Sequence, residues 1–258
     1  MARKCIDHKS GCAICGKPII YTDRPEELHC VLCKRSFATQ AKCEDNHFVC
    51  DACHALPAGD LISRLAVAST SKNPLDMALT LMRSPGVKMH GPEHHFLIPA
   101  VLLSAFYNAS GRPADKEAGI AKARQRAEHV LGGFCGFYGD CGAAVGTGIF
   151  VSVATGATPL SKTEWRLANL MTARSLYVIA NAGGPRCCKR NSFLAISEAI
   201  RFSEEELHVR MDPGPDSIEC EFHDLNKECR KAECPFYRRR RTGGGPPIDS
   251  PFGAKGMG

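Results

Sequence analysis

The 258-residue chain has fifteen cysteines in three territories, and their spacing determines what chemistry it can do. Eight lie between Cys5 and Cys53, four between Cys135 and Cys188, and three between Cys220 and Cys234. The first territory holds Cys12-x2-Cys15, Cys30-x2-Cys33 and Cys50-x2-Cys53, with Cys43-x3-His47 before the last pair. Two thiolates two residues apart share one tight turn and take two corners of a tetrahedron, so four such pairs supply two closed metal sites. Two pairings satisfy this order. Alternate pairs give a cross-brace, with Cys12, Cys15, Cys43 and His47 at one ion and Cys30, Cys33, Cys50 and Cys53 at the other. Neighbouring pairs give Cys12, Cys15, Cys30 and Cys33 at one ion and Cys43, His47, Cys50 and Cys53 at the other. Zinc is the expected metal, and because the segment has few apolar residues the ions supply much of its folding energy. A redox or iron–sulfur role for the same residues is the alternative. Cys5 and His8 are surplus to either pairing.

The middle thiols lie in glycine-rich punctuation between helical stretches. Gly91-Pro92-Glu93-His94-His95 puts both histidines in the first turn of a helix over 93–109. Asp140 reads as the cap of a helix that opens on Cys141, and Asn191 as the cap of a last helix just after Cys187 and Cys188. A helix start carries roughly half a positive charge and free amides, which lower a thiol's pKa and favour neutral histidine. Arg186, Lys189 and Arg190 add positive charge, as a cofactor-binding set would. If these turns converge, Cys135, Cys141, Cys187, Cys188, His94 and His95 form a catalytic site. Such a site holds an iron–sulfur cluster or keeps a thiol nucleophilic. Glycines from 132 to 148 let backbone or a cofactor come close. The plain alternatives are inert burial of small thiols and a strained Cys187–Cys188 disulfide.

The third territory pairs Cys220-x2-His223 with Cys229-x4-Cys234. These four ligands suit one zinc, or the three cysteines join an iron–sulfur cluster elsewhere. The linker from Asp212 to Asp216, with two prolines and a glycine, lets this arm fold back, and whether it reaches Cys135 or Cys187 is left open by spacing.

Positioning these groups requires a scaffold, and the pattern between them is helical. Apolar residues recur at helical spacing over 61–69, 74–83, 93–109, 114–131, 142–154, 162–182 and 191–201, with prolines and glycines between. The expected fold class is mainly α. An N-terminal zinc-ribbon or treble-clef-like module (1–58) leads to an α-helical domain with the thiol-rich site (59–210). A Cys/His metal-binding arm (211–237) and a disordered basic tail (238–258) follow.

Composition removes other classes. Fifteen cysteines in 258 residues fall below the roughly 8–10% of disulfide-stapled secreted chains, and an odd number cannot pair completely. Met1-Ala2-Arg3-Lys4 leads to Cys5, Asp7 and His8 and not to an apolar stretch, so a cytoplasmic location with reduced thiols is expected. The most apolar run, Phe96 to Tyr107, falls short of the roughly 18–20 residues a bilayer span needs, so no membrane association is expected. Of the net charge of +6, residues 235–258 carry five Lys/Arg and one Asp, which is +4. Nucleic-acid binding is thereby confined to the basic tail.

The run from Gly133 through Cys135 and Cys141 to Gly148, with Gly184-Pro185-Arg186-Cys187-Cys188-Lys189-Arg190 and the cysteine-rich start, is similar to a family of uncharacterised cysteine-rich domains. Those domains occur in bacteria and archaea, sometimes fused behind a methyltransferase-like domain. The resemblance covers most of 10–235 and implies no assigned activity. It points to a separate methyltransferase-like or redox partner protein, because the chain has no glycine-rich dinucleotide fingerprint, phosphate loop or radical-SAM cysteine triplet. The function expected is that of a zinc and iron–sulfur protein, a thiol- or cluster-dependent redox or sulfur-transfer enzyme. The alternative is a non-enzymatic zinc protein that binds protein or nucleic acid.

Overall fold

The most apolar stretch of the chain becomes the helix around which the others are arranged. A computed structural model describes residues 12, 14, 17–54, 56–84, 86–215 and 218–237. Cys15, Cys5, His8, Asp216 and the basic tail lie outside the described residues. The chain opens with an antiparallel hairpin of β1 (Ile19–His29) and β2 (Ser36–Cys43), followed by a single turn, α1 (Asp51–His54). Helices α2 (Ala58–Ala68), α3 (Pro74–Arg83), α4 (Glu93–Ala109) and α5 (Lys116–Ala127) come next. Then follow the short α6 (Phe134–Phe137), α7 (Gly142–Thr155), α8 (Thr163–Ala182) and α9 (Cys188–Glu206). Two 3-10 turns, His223–Leu225 and Lys231–Glu233, shape the arm. The fold is mainly α, as the spacing predicts.

Every residue from Phe96 to Tyr107 is buried, and α4 touches α2, α3, α5, α7 and α9. A helix apolar all round has no face for water, which is why this run sits at the centre of the fold. Among the described residues, no helix is long and apolar enough to cross a membrane. Cys30, Leu32, Cys50 and Cys53 of the hairpin module share one apolar core with Leu61 and Ile62 of α2.

The glycines of α7 serve helix packing. A Cβ on Gly142 would lie 2.2 Å from the His95 ring, and one on Gly146, a turn later, 3.0 Å from the His95 carbonyl oxygen. Pro99 lacks the N–H that this carbonyl would otherwise accept, so the close crossing of α7 occurs where α4 has already lost a ladder bond. Gly148 faces the other way, and its Cβ would lie 2.0 Å from Thr172 Oγ1 of α8. The room expected for backbone or cofactor is used at these three positions by neighbouring helices.

Two helix starts differ from the sequence reading. Cys141, not Asp140, occupies the extended cap position of α7. Cys187 caps α9, its sulfur accepting the Arg190 N–H at 3.4 Å, and Asn191 lies buried inside the first turn. Sulfur takes the place of the short polar side chain, leaving Asn191 free to act elsewhere.

Candidate functional site

The hairpin decides the N-terminal pairing. Cys12 precedes β1 and Cys43 ends β2, so both lie at the open end, while Cys30 and Cys33 lie in the turn. Strands rise about 3.3 Å per residue, so β1 keeps Cys12 away from Cys30. His47 returns to Cys43, its N–H reaching the Cys43 sulfur at 3.3 Å. Phe48 then bridges to Cys30 and carries the chain to Cys50 and Cys53. The ligand atoms of Cys30, Cys33, Cys50 and Cys53 all lie within 4.8 Å of one another, as do those of Cys12, Cys43 and His47. Among the described residues the ligands group as in the alternate pairing, with Cys15 outside them.

The four-thiol group suits a metal cation electrostatically as well as geometrically. Cys33 and Cys50 sulfurs are 3.8 Å apart. Hydrogen bonds from Arg35 lower the Cys33 thiol to about 6, whereas burial pushes Cys53 up to about 12. Thiols this close cannot all ionise together unless a cation offsets their repulsion. Donors are already in place: the Cys50 N–H points at the Cys30 sulfur at 3.5 Å, and Arg64 of α2 at the Cys53 sulfur at 3.5 Å.

In the helical part of the fold the starts of α4, α7 and α9 come together. Cys188 lies within electrostatic reach of Cys141, Cys187 and Cys135, and Cys141 within reach of Cys135. Asn191 Nδ2 donates to the Cys141 sulfur at 3.4 Å, and the amides of Ala143 and Ala144 also reach it. The Gly91 N–H reaches Cys188. Burial nevertheless dominates and raises both thiols above their ordinary value. The lowering expected at a helix start is outweighed at these two positions. Cys135 is exposed on α6, beside the exposed Phe137 and Tyr138.

The two histidines separate. His95 turns its Nδ1 to the Val130 carbonyl at 2.8 Å and lays its ring against Gly142, next to Cys141. Gly142→Ala is expected to cost about 1–3 kcal/mol, because its methyl overlaps that ring. Thermal unfolding measures the loss, and faster alkylation of Cys141 reports the displaced helix start. His94 is buried, with Nδ1 3.1 Å from the Gly91 carbonyl oxygen, and among the described residues its Nε2 has no hydrogen-bond partner. Burial, reinforced by the Lys189 charge, holds its pKa at about 3.

That value fixes a pH dependence. The unfolded chain protonates His94 below its ordinary 6.5 and the folded protein does not, so stability is full above pH 6.5 and lost as pH falls towards 3. The slope from this residue is up to about 1.4 kcal/mol per pH unit. Denaturant unfolding of the protein and of His94→Asn, from about pH 7 to pH 5, should show the slope reduced in the variant.

Of the basic residues, Arg186 is exposed, whereas Lys189 and Arg190 are buried. Lys189 Nζ lies 3.4 and 3.3 Å from the Met82 and Val87 carbonyls and 4.9 Å from the Phe222 ring centroid. Burial brings its pKa down to about 8. Arg190 donates to the Pro185 carbonyl at 2.9 Å and to Asn191 Oδ1 at 3.2 Å.

The arm folds back onto these helix starts. Its Phe236 ring packs 5.3 Å from Phe193 of α9, Glu221 pairs with Arg83 at 2.6 Å, and Asn226 Oδ1 is 3.1 Å from His90 Nε2. Cys220, Cys229, Cys234 and His223 thereby line a cavity together with Cys187. The arm reaches Cys187, the contact that spacing alone left open. Sequence reasoning passed over Asn191 as a sulfur donor, having assigned it to a cap. A buried amide one turn after a Cys-Cys pair is the signal that could have found it.

A family model matches residues 62–237, which takes in the helices, the middle thiols and the whole arm up to Tyr237. The chain belongs to the family of unknown function DUF5714. Among curated proteins and among solved structures, nothing matches it. The DUF5714 segment begins inside α2, so the thiol-lined helix starts and the arm lie within the family's span, and the cysteine hairpin lies before it.

Proposed function

We propose that this DUF5714 protein is a metal–thiolate redox protein whose N-terminal module carries two structural zinc ions. The observation that carries the redox reading is the cluster of Cys135, Cys141 and Cys188 at helix starts, with Cys187 beside them and amides directed at the sulfurs of Cys141 and Cys188. Half-buried thiols with raised pKa values, such as Cys141 and Cys188, are protonated and poorly nucleophilic as free side chains. A metal centre converts them to thiolates, and directed amides then hold the charge, which favours cluster-borne electron transfer over sulfur transfer by a free thiol. Zinc suits the hairpin module, where Cys30, Cys33, Cys50 and Cys53 close one tetrahedron and Cys12, Cys43 and His47 supply three corners of a second, with Cys15 proposed as its fourth.

Anaerobic purification followed by zinc, iron and acid-labile sulfide analysis tests the reading. The expected protein has two zinc ions from the hairpin module plus iron and sulfide, with visible absorbance that bleaches on reduction. Cys141→Ser with Cys188→Ser should lower the iron content. Zinc alone, with no visible absorbance, sinks the redox reading and favours a non-enzymatic interaction module.

A further inference from the structure

We propose that Cys187, Cys220, Cys229 and Cys234 form a cage for one 4Fe–4S cluster. This goes beyond the helix-start reading, because the cage needs none of Cys135, Cys141 or Cys188. The adjacent pair Cys187–Cys188 is thereby divided, one thiol facing the arm and one facing the starts of α4 and α7.

The four cysteines line one cavity, whose other walls include Met89, Phe222 and Phe236. One tetrahedral ion with bonds of about 2.3 Å needs its four sulfurs in mutual contact. The Cys30, Cys33, Cys50 and Cys53 group meets that condition within 4.8 Å, and the arm group is not drawn together in that way. A cubane binds each thiolate at a separate iron corner, so its ligands stand apart around a space, as these do.

Each sulfur also meets a backbone donor. The Arg190 N–H lies 3.4 Å from Cys187, the Phe222 N–H 3.4 Å from Cys220 and the Lys231 N–H 3.4 Å from Cys229. The Phe236 N–H reaches Cys234. Amide donors around thiolates stabilise the negative charge of a cluster inside an apolar wall. Buried Arg190 lines the same cavity and supplies a fixed positive charge. His223 lines it too, with Nδ1 2.9 Å from Asp224 and its ring centroid 5.0 Å from that of Tyr237, which leaves Nε2 able to ligate. Cys187 is assigned as the fourth ligand because its sulfur, like those of the arm cysteines, meets a backbone N–H and lines the cavity.

The cage is assembled by contacts that do not involve sulfur. The Cys220 N–H donates to the Phe236 carbonyl at 2.6 Å, closing the arm on itself. Arg230 donates to the Ala182 carbonyl at the end of α8, which fixes the arm beside the loop leading to Cys187.

The test uses the full chain, treated anaerobically with ferric iron, sulfide and a dithiol that reduces half of the iron. Cys220→Ser and Cys234→Ser should each lose about four irons and four sulfides per chain relative to the unaltered protein. Zinc in the hairpin should be kept, and His223→Gln should keep the iron. Iron that persists in both arm variants but is lost from Cys141→Ser overturns the cage and leaves the helix-start reading standing. An unaltered chain that takes up no iron overturns both. Because a serine variant can unfold the arm, mass-mapped alkylation of the unaltered chain gives a second readout. Loaded protein should protect Cys187, Cys220, Cys229 and Cys234 together, and labelling of these four at the rate of unloaded protein overturns the proposal.

Discussion

Cys50→Ser is expected to release one metal ion per chain and to melt the hairpin module while most helical signal persists. Cys50 is buried at the meeting point of the four-thiol group, its sulfur 3.8 Å from that of Cys33 and its N–H on the Cys30 sulfur. Serine removes one corner of the tetrahedron and leaves three thiols, two of them buried, around a weaker oxygen ligand. Metal binding at structural zinc sites is worth about 10–16 kcal/mol in isolated zinc-finger peptides. β1 is mostly exposed, with Ile19, Ile20 and Tyr21 facing solvent, and β2 is mostly half-buried. The effect therefore far exceeds that of a core truncation. Zinc released on denaturation, counted against protein, should fall by one equivalent, and limited proteolysis should cut within residues 19–50. A variant that retains its metal and its resistance to protease would contradict the assignment.

The helical architecture and the N-terminal ligand set were legible in the sequence for different reasons. Helices announce themselves by local periodicity, so the spans of α3, α4 and α8 follow from where prolines and glycines interrupt the apolar repeat. The ligands of the hairpin module announce themselves by chemistry, since CxxC pairs have few other uses in a reduced chain. Their pairing did not, because it depends on strands that separate Cys12 from Cys30, and β1 is mostly exposed, so it has no apolar face to mark it. The site at the helix starts was legible in its residues and not in its electrostatics. A helix start lowers a thiol's pKa in water, but Cys141 and Cys188 are largely withdrawn from water where the helix starts pack together, and desolvation exceeds the dipole. The partition of Cys187 from Cys188 was not legible either. Two neighbouring residues at a helix start point different ways, and only the docked arm shows which partners each meets.

Arg174→Ala is expected to lower stability by roughly 3–5 kcal/mol, although Arg174 touches no thiol. Its Nε bonds Glu198 at 2.6 Å and its Nη1 bonds Glu205 at 2.7 Å, with the guanidinium 5.3 Å from the Phe202 ring centroid. Arg174 is 3% exposed and Glu198 is fully buried. Alanine would leave the Glu198 charge inside the α8–α9 interface with only the half-exposed Arg201 to balance it. At 2–4 °C per kcal/mol for a chain of this size, the melting temperature should drop by roughly 6–20 °C. The paired change Arg174→Met with Glu198→Leu should recover most of that loss, because neither charge is then stranded. The consequence reaches the thiols through the helices themselves. The end of α8 holds Arg230 of the arm, and the start of α9 carries Cys187 and Cys188. An α9 that slides against α8 therefore changes the distance between Cys187 and the arm cysteines. Arg174→Ala should accordingly speed alkylation of Cys187 and Cys220 at temperatures where the chain is still folded, and the paired variant should not. Equal alkylation in both variants would show that the ion network stabilises the helices without positioning the thiols.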